Sequence, residues 1–406
     1  MARLHSFRAL RPTPAGAARV AAVPYDVVST DEARALAAGN PLSFLHVSRA
    51  EIDLPPATDP YADAVYDQAR QAFERLRREA PLLVEERPGV YAYRLRMGTH
   101  EQVGVAACYG LDEYERDVIR KHERTRRDKE DDRTRHILTL RAQTGPVFLT
   151  YRASPEVDAV MTRVTARAPL FDFEAPDGVR HTIWTASDDE AGALAGAFAR
   201  IPTLYIADGH HRAASAARAH QQLRNGAVEA GADESSRFVA VAFPHDQVQI
   251  LPYNRLVKDL AGLTPDAFLA QVAARCTVKD GPASPARKGE VAMYLPGRWR
   301  TLVFDPAPAG DVIGSLDVSR LQDRLLAPVL NVADPRTDKR IDFVGGIRGT
   351  AELERAVDSG RAAVAFSMHP VGVGELMAIA DAGAIMPPKS TWFEPKLRDG
   401  LLTHLI

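Results

Sequence analysis

Ala64, Val65, Ala69, Ala72, Phe73 and Leu76 recur at intervals of three and four residues, a spacing that predicts an amphipathic helix over 61–79. Residues 89–97 and 101–111 instead alternate apolar and polar around Gly98-Thr99-His100, which predicts a β-hairpin. Residues 18–28 read as a buried strand broken by Pro24, and 43–49 as another strand. Between them Ser29 and Glu32 form a capping-box pattern opening a helix over 30–39, which Gly39-Asn40-Pro41 stops. Strands are expected at 145–152, 237–244 and 248–257, helices around 157–166 and 188–199, and a helix over 265–276 with Thr264 as its cap. Residues 341–346, 350–360 and 362–370 read strand, helix, strand, a βαβ-type pattern. The class is α/β, with α+β as the alternative, on a mixed sheet. Two lobes are expected, 1–255 and 256–406.

The apolar run 204–207 ends in Asp208-Gly209-His210-His211-Arg212, and an alanine-rich helix is predicted over 211–223. The start of a helix is the positive end of its dipole, where acidic residues are favoured. Here cationic types stand there instead, which suits a bound anion. Gly209 has no Cβ to hold an anion away from the backbone. His210, His211 and Arg212 add donors, and Arg212 offers a bidentate fork. Adjacent histidines on a helix diverge by about 100°, so separate roles are favoured over joint metal chelation. Asp208 would repel phosphate; Mg²⁺ ligation, contact with a substrate amine or hydroxyl, or general-base work suits it. An Arg212 that grips the donor's phosphate predicts an Arg212→Ala variant with a raised donor KM or no turnover and a nearly unchanged Tm.

Residues 115–136 are dominated by charge. One reading is a solvated helix held by i,i+4 pairs. The other is a lid whose Lys121, His122, Arg124 and Arg133 close over a polyanion, with Glu123 available as a base. Asp26 follows an apolar stretch and a proline turn, where a carboxylate either lines a cleft or caps backbone. Residues 334–346 and 386–397 set Arg336, Arg340, Lys389 and Lys396 among prolines and glycines, so that these side chains could complete an anion pocket walled by Trp392 and Phe393.

Composition narrows the partners. The 406 residues are 46% hydrophobic and 26% charged with a net charge of −2, so no global field draws the chain to nucleic acid or membrane. No run approaches the roughly 18 apolar residues of a membrane span, and the first twenty residues lack a signal-peptide core. A cytoplasmic protein acting on a small molecule is expected, with a homodimer left open. The isolated Cys108 and Cys276 match neither a disulfide framework nor a zinc spacing. G-x-x-x-x-G-K-S/T, a G-x-G-x-x-G after a strand, H-E-x-x-H and G-x-S-x-G are all absent, so any phosphate site is of a less common kind.

Five stretches, "VPYDVV", "IRKHERT" with the following "DDR", "YIADGHHR", "DPRTDKRIDFVGG" and "MPPKSTWFEPKL", resemble in this order the blocks of the domain-of-unknown-function family 1015, from about residue 20 to the C-terminus. Pro252-Tyr253-Asn254-Arg255 departs from that family's proline-x-histidine-arginine, so no histidine role carries over there. The strand–DGHHR–helix block is also similar to the phosphate-binding turn of the ParB/sulfiredoxin-like fold, which includes CTP-binding partition proteins and kinases of free serine. That resemblance implies that Gly209, His210, His211 and Arg212 hold phosphate; Lys121, His122 and Arg133 would join them if the charged segment is a lid. Asp208 would be the catalytic aspartate and a Mg²⁺ ligand, with Asp26 and then Glu123 as candidates for the separate base. The implied activity is transfer of a phosphoryl group from ATP, ADP or pyrophosphate to a small hydroxyl acceptor such as L-serine. A nucleotide- or phosphate-binding regulatory protein without transfer chemistry and a phosphoester hydrolase are the alternatives.

Overall fold

The computed structural model describes residues 1–79, 82–225 and 234–406. They divide into two compact units, Met1–Val248 with Pro395–Ile406, and Gln249–Glu394. The lobe boundary drawn after 255 thus falls at 248, and the last twelve residues rejoin the first unit. The reason is a strand exchange at the C-terminus: Thr403–Leu405 pairs with Ala9–Pro12 on one side and Ala142–Gln143 on the other.

Both units are mixed α/β. Among the described residues of the first, nine strands form the large sheet. At its heart Leu204–Asp208 lies antiparallel to Val147–Tyr151, which runs parallel to Arg237–Pro244. The predicted hairpin is present as Tyr91–Met97 and His100–Gly110, and its second strand continues the sheet from Arg237–Pro244. The helix His210–Asn225 packs over this sheet through Ala213, Ala216, Ala217 and Ala219, which join the main core. Small side chains there let the helix lie close to the sheet.

The amphipathic helix is Asp63–Glu79, and its expected apolar face is buried. The Ser29–Glu32 capping box opens Thr30–Ala37 with both reciprocal hydrogen bonds formed. Two expected strands are helical instead. Residues 18–28 begin as the short helix Ala17–Val20, leaving Ala22 to make one bridge to Asp399. Residues 43–49 form the helix Leu45–Ser48, because Phe44, Leu45 and Val47 bury against Val65, Ala69 and Phe73 of the amphipathic helix rather than along a sheet. Three apolar residues within a span of four fit either period, and tertiary packing decides.

The second unit holds a six-stranded sheet in which Tyr253–Val257 lies between Ile341–Gly345 and Val364–Met368, antiparallel to both. The predicted strand–helix–strand is therefore split: its two strands run parallel to each other with a third inserted. Helix Gly349–Asp358 connects them and buries Leu353, Ala356 and Val357. Among the described residues, no helix is long and apolar enough to cross a membrane.

Candidate functional site

Asp208 is aimed by a local irregularity. Ile206 pairs with Leu149 and Asp208 with Phe148, so Ala207 is an extra residue and the strand bulges at its end. A bulge re-aims the side chain that follows it. Gly209 then turns with φ +94°, where a Cβ would stand 3.1 Å from Arg212 Nε and 3.4 Å from Val147 Cα. The turn thus needs glycine both for its backbone and because the Arg212 side chain folds beneath it.

The carboxylate of Asp208 accepts from Arg212 Nη2 at 3.3 Å and lies 3.5 Å from Lys396 Nζ. Burial would push its pKa up; the ammonium of Lys396 and the guanidinium of Arg212 prevail and hold it well below the usual carboxylate range. Arg212 is only 8% exposed. It also donates to the Pro146 carbonyl at 2.5 Å and sits 3.8 Å from Asp26 Oδ2, whose side chain is 34% exposed. One buried guanidinium therefore links two partly exposed carboxylates, Asp208 with 28% and Asp26 with 34% of the side chain open to solvent.

The histidines of the turn are engaged by neighbouring protein groups. The rings of His122 and His210 meet edge to face at 4.4 Å, both buried. Burial pulls His122 down to about 4 and His210 well below its ordinary value, and the two rings' proximity lowers His210 further. At neutral pH both are uncharged. His211 Nε2 accepts the Arg126 backbone N–H at 2.9 Å, so its lone pair is turned to the protein. The cations at the head of this helix are Arg212 and Lys396. Glu123 stands 3.9 Å from His210 Nδ1. Neither ring nitrogen of His122 completes a hydrogen bond of good geometry, although the Ile206 backbone lies against the ring.

Of the charged segment, residues 127–140 form a helix packed against both Asp63–Glu79 and His210–Asn225, with Asp132, Thr134 and His136 buried. Lys121 pairs with Asp117 at 2.9 Å and donates to the Tyr114 carbonyl, away from Asp208. Arg133 pairs with Asp132 at 2.7 Å and lies 4.3 Å over the Tyr25 ring. Arg124 is exposed. Of the four basic loop residues, Lys396 reaches Asp208; Arg336, Arg340 and Lys389 lie in the second unit. There Arg336 pairs with Asp334 at 2.8 Å, and Arg340 with Asp338 at 2.7 Å and the Asn331 carbonyl at 2.7 Å. Trp392 and Phe393 pair with the strand Gln249–Leu251 of that unit.

Sequence reasoning missed Asp399. It is 1% exposed and borders a cavity of about 30 Å³ with Tyr25, Arg133, Gly145 and Arg212. Its Oδ1 has no hydrogen-bond partner, and a Cβ on Gly145 would come within 2.5 Å of it. Burial pushes its pKa up to about 7, with Asp26 adding to the rise and Arg212 opposing it. The available signal was the Asp399-Gly400 pair, a second Asp-Gly turn like Asp208-Gly209, with Gly400 at φ +82° against Phe44. The unfolded chain releases the Asp399 proton near pH 4 and the folded protein near 7. Its contribution to stability is therefore full below about pH 4 and lost as pH rises to 7. Asp399→Asn removes that loss. In urea titrations the variant is expected to be more stable than wild type at pH 8 by about 2–4 kcal/mol, the gap closing at pH 4; a gap independent of pH would refute the assignment.

Among the described residues, no three His, Cys, Asp or Glu side chains are grouped to hold a metal ion. The site is thus a charge-linked set of carboxylates and cations at a helix start, all within the first unit. The model of a family described as "Protein of unknown function (DUF1015)" matches residues 4–319. The chain belongs to that family. No curated protein matches it. Among solved structures, it is similar to a conserved hypothetical protein from Pyrococcus furiosus at 16% identity, covering 74% of this chain and 95% of that one with a TM-score of 0.38. SbnI with a C-terminal truncation from Staphylococcus aureus gives 12% identity, 74% and 87% coverage and a TM-score of 0.40. A free serine kinase in complex with AMP gives 12% identity, 72% and 91% coverage and a TM-score of 0.37.

Proposed function

We propose that this member of DUF1015 is a small-molecule phosphotransferase that moves a phosphoryl group from ATP, ADP or pyrophosphate to a small hydroxyl acceptor, with free L-serine the first to test. The observation that carries the reading is Asp208, ionised between Lys396 and Arg212 at the glycine turn that opens the His210–Asn225 helix. The first N–H groups of a helix have no acceptor within it, and the dipole favours an anion there. Phosphoryl transfer asks chiefly for positioning and charge neutralisation, which this arrangement supplies.

The backbone of Gly209, His210 and His211 faces the donor phosphates, and Lys396 neutralises charge beside them. Arg212 is a positioning residue that fixes Asp208 and Asp26. Asp26, the more exposed carboxylate, accepts the acceptor's hydroxyl proton as its oxygen bonds to phosphorus and the bond to the leaving phosphate breaks; Glu123 is the second candidate. Mg²⁺ would be held by the Asp208 carboxylate together with the donor's phosphate oxygens and water, and would supply charge neutralisation at the phosphates.

Purified protein incubated with Mg²⁺, L-serine and each donor in turn, followed by ³¹P NMR, tests the reading. Phosphoserine is expected with at least one donor. Nucleotide bound but unchanged would favour a regulatory protein, and free phosphate released without serine would favour a hydrolase; either result overturns the transferase.

A further inference from the structure

The second unit contains a buried charge that, among the described residues, no carboxylate balances. Arg255, on the strand Tyr253–Val257, is 2% exposed. Its guanidinium donates to the backbone carbonyls of Tyr253 and, at 3.0 Å, Lys389, and lies 5.6 Å from the Phe343 ring centroid. Those two bonds use two of its five N–H groups. Burial pulls the guanidinium down to about 10, and the one group that opposes this is the Tyr253 phenol. Buried guanidinium groups ordinarily face a carboxylate or phosphate, because an unpaired charge in low dielectric is costly.

Arg255 lines a small pocket together with Lys288, His369 and Ser390. The two carboxylates on its wall are already engaged elsewhere. Asp317 accepts the Gly289 N–H at 2.9 Å and lies 3.7 Å from Arg320; Glu375 takes Lys288 and the Gly372 N–H at 2.9 Å. A second feature points the same way. Lys389 adopts φ +58°, a left-handed conformation that a side chain disfavours. This turn directs its carbonyl to Arg255 and holds its ammonium 5.5 Å from the centre of the Tyr253 ring. The backbone accepts strain at the place where it wraps the unbalanced cation.

We propose that this pocket binds the oxyanion head group of a small molecule, a carboxylate or a phosphate, with Arg255 as its principal ligand. A guanidinium fork recognises either group by paired N–H···O bonds. The site lies within the second unit and does not depend on the reading of Asp208.

Hydrogen–deuterium exchange on the full-length protein tests it, with millimolar inorganic phosphate in one arm and acetate in the other, at constant ionic strength set by chloride. Exchange is expected to slow several-fold in peptides covering 251–257 and 386–392. Protection by phosphate alone identifies a phosphate-bearing ligand, and protection by acetate identifies a carboxylate. Arg255→Met, which retains apolar bulk without charge, should lose the effect. If that variant does not fold, the wild-type map decides. Protection confined to 204–225, or none with either anion, overturns the proposal, as does an Arg255→Met variant that responds like wild type.

Discussion

Arg212→Ala is expected to lower the free energy of unfolding by about 2–3 kcal/mol, the loss of a buried guanidinium and its hydrogen bonds, with the ion pairs discounted because both carboxylates are partly exposed. Read from the sequence, this arginine is a phosphate grip whose loss would spare stability. The structure buries it beneath Gly209, with Asp208, Asp26 and the Pro146 carbonyl as partners. Removing the guanidinium leaves the Pro146 carbonyl without its donor and takes one cation from Asp208. Asp208 and Asp26 are each about a third exposed, so solvent screens the charge that either loses. The penalty also depends on pH in a definite sense. The Asp208 carboxyl is held below its ordinary range, so the stability it contributes is present above about pH 4 and lost as pH falls further. Urea unfolding at pH 7 and pH 3 checks both points: the deficit of the variant should be large at the first and smaller at the second. A deficit below about 1 kcal/mol at pH 7, the size typical of a surface change, would return Arg212 to the role of an exposed ligand grip.

What could be read from the sequence follows the range of the interactions involved. The hairpin around Gly98, the Ser29 capping box and the apolar face of Asp63–Glu79 are local, and each took the form its pattern predicts. The Asp208-Gly209 turn was legible for the same reason, since a strand, a glycine and a helix are adjacent in the chain. The charge state of the site was not. His210 is neutral because it is buried, and His122 from a different segment lowers it further; nothing in "DGHHR" announces that partner. Lys396 and Asp399 reach the site because Thr403–Leu405 returns to a sheet begun by Ala9–Pro12, a pairing between the two ends of the chain. The bulge at Ala207 depends on register against Val147–Tyr151, which the strand's own residues do not encode. Residues 43–49 show the remaining failure: Phe44, Leu45 and Val47 are too few to reveal a period before the amphipathic helix packs on them.

Asp26→Asn is expected to reduce kcat by about 10²–10⁴-fold, the usual contribution of a positioned general base, while leaving stability nearly unchanged because the side chain meets solvent. The comparison that gives this meaning is Asp208→Asn, which should lower turnover and also stability, since Lys396 and Arg212 would lose the carboxylate they share. The pH profile separates the two roles. Asp208 is held ionised far below neutrality, so it cannot shape the rate between mildly acidic and alkaline pH. An acid limb in the wild-type kcat profile therefore belongs to another carboxylate, and it should vanish in Asp26→Asn. Glu123→Gln tests the competitor, whose carboxylate lies 3.9 Å from a neutral His210 rather than beside Arg212. Should Glu123→Gln abolish the limb and Asp26→Asn preserve it, the base is Glu123, and the link from Asp26 through Arg212 to Asp208 serves to hold the site's shape. Loss of turnover in both variants, with the limb intact in whatever activity survives, would place proton acceptance outside these two residues. Asp399, buried behind Arg212 and titrating near 7, would then be the carboxyl to substitute next.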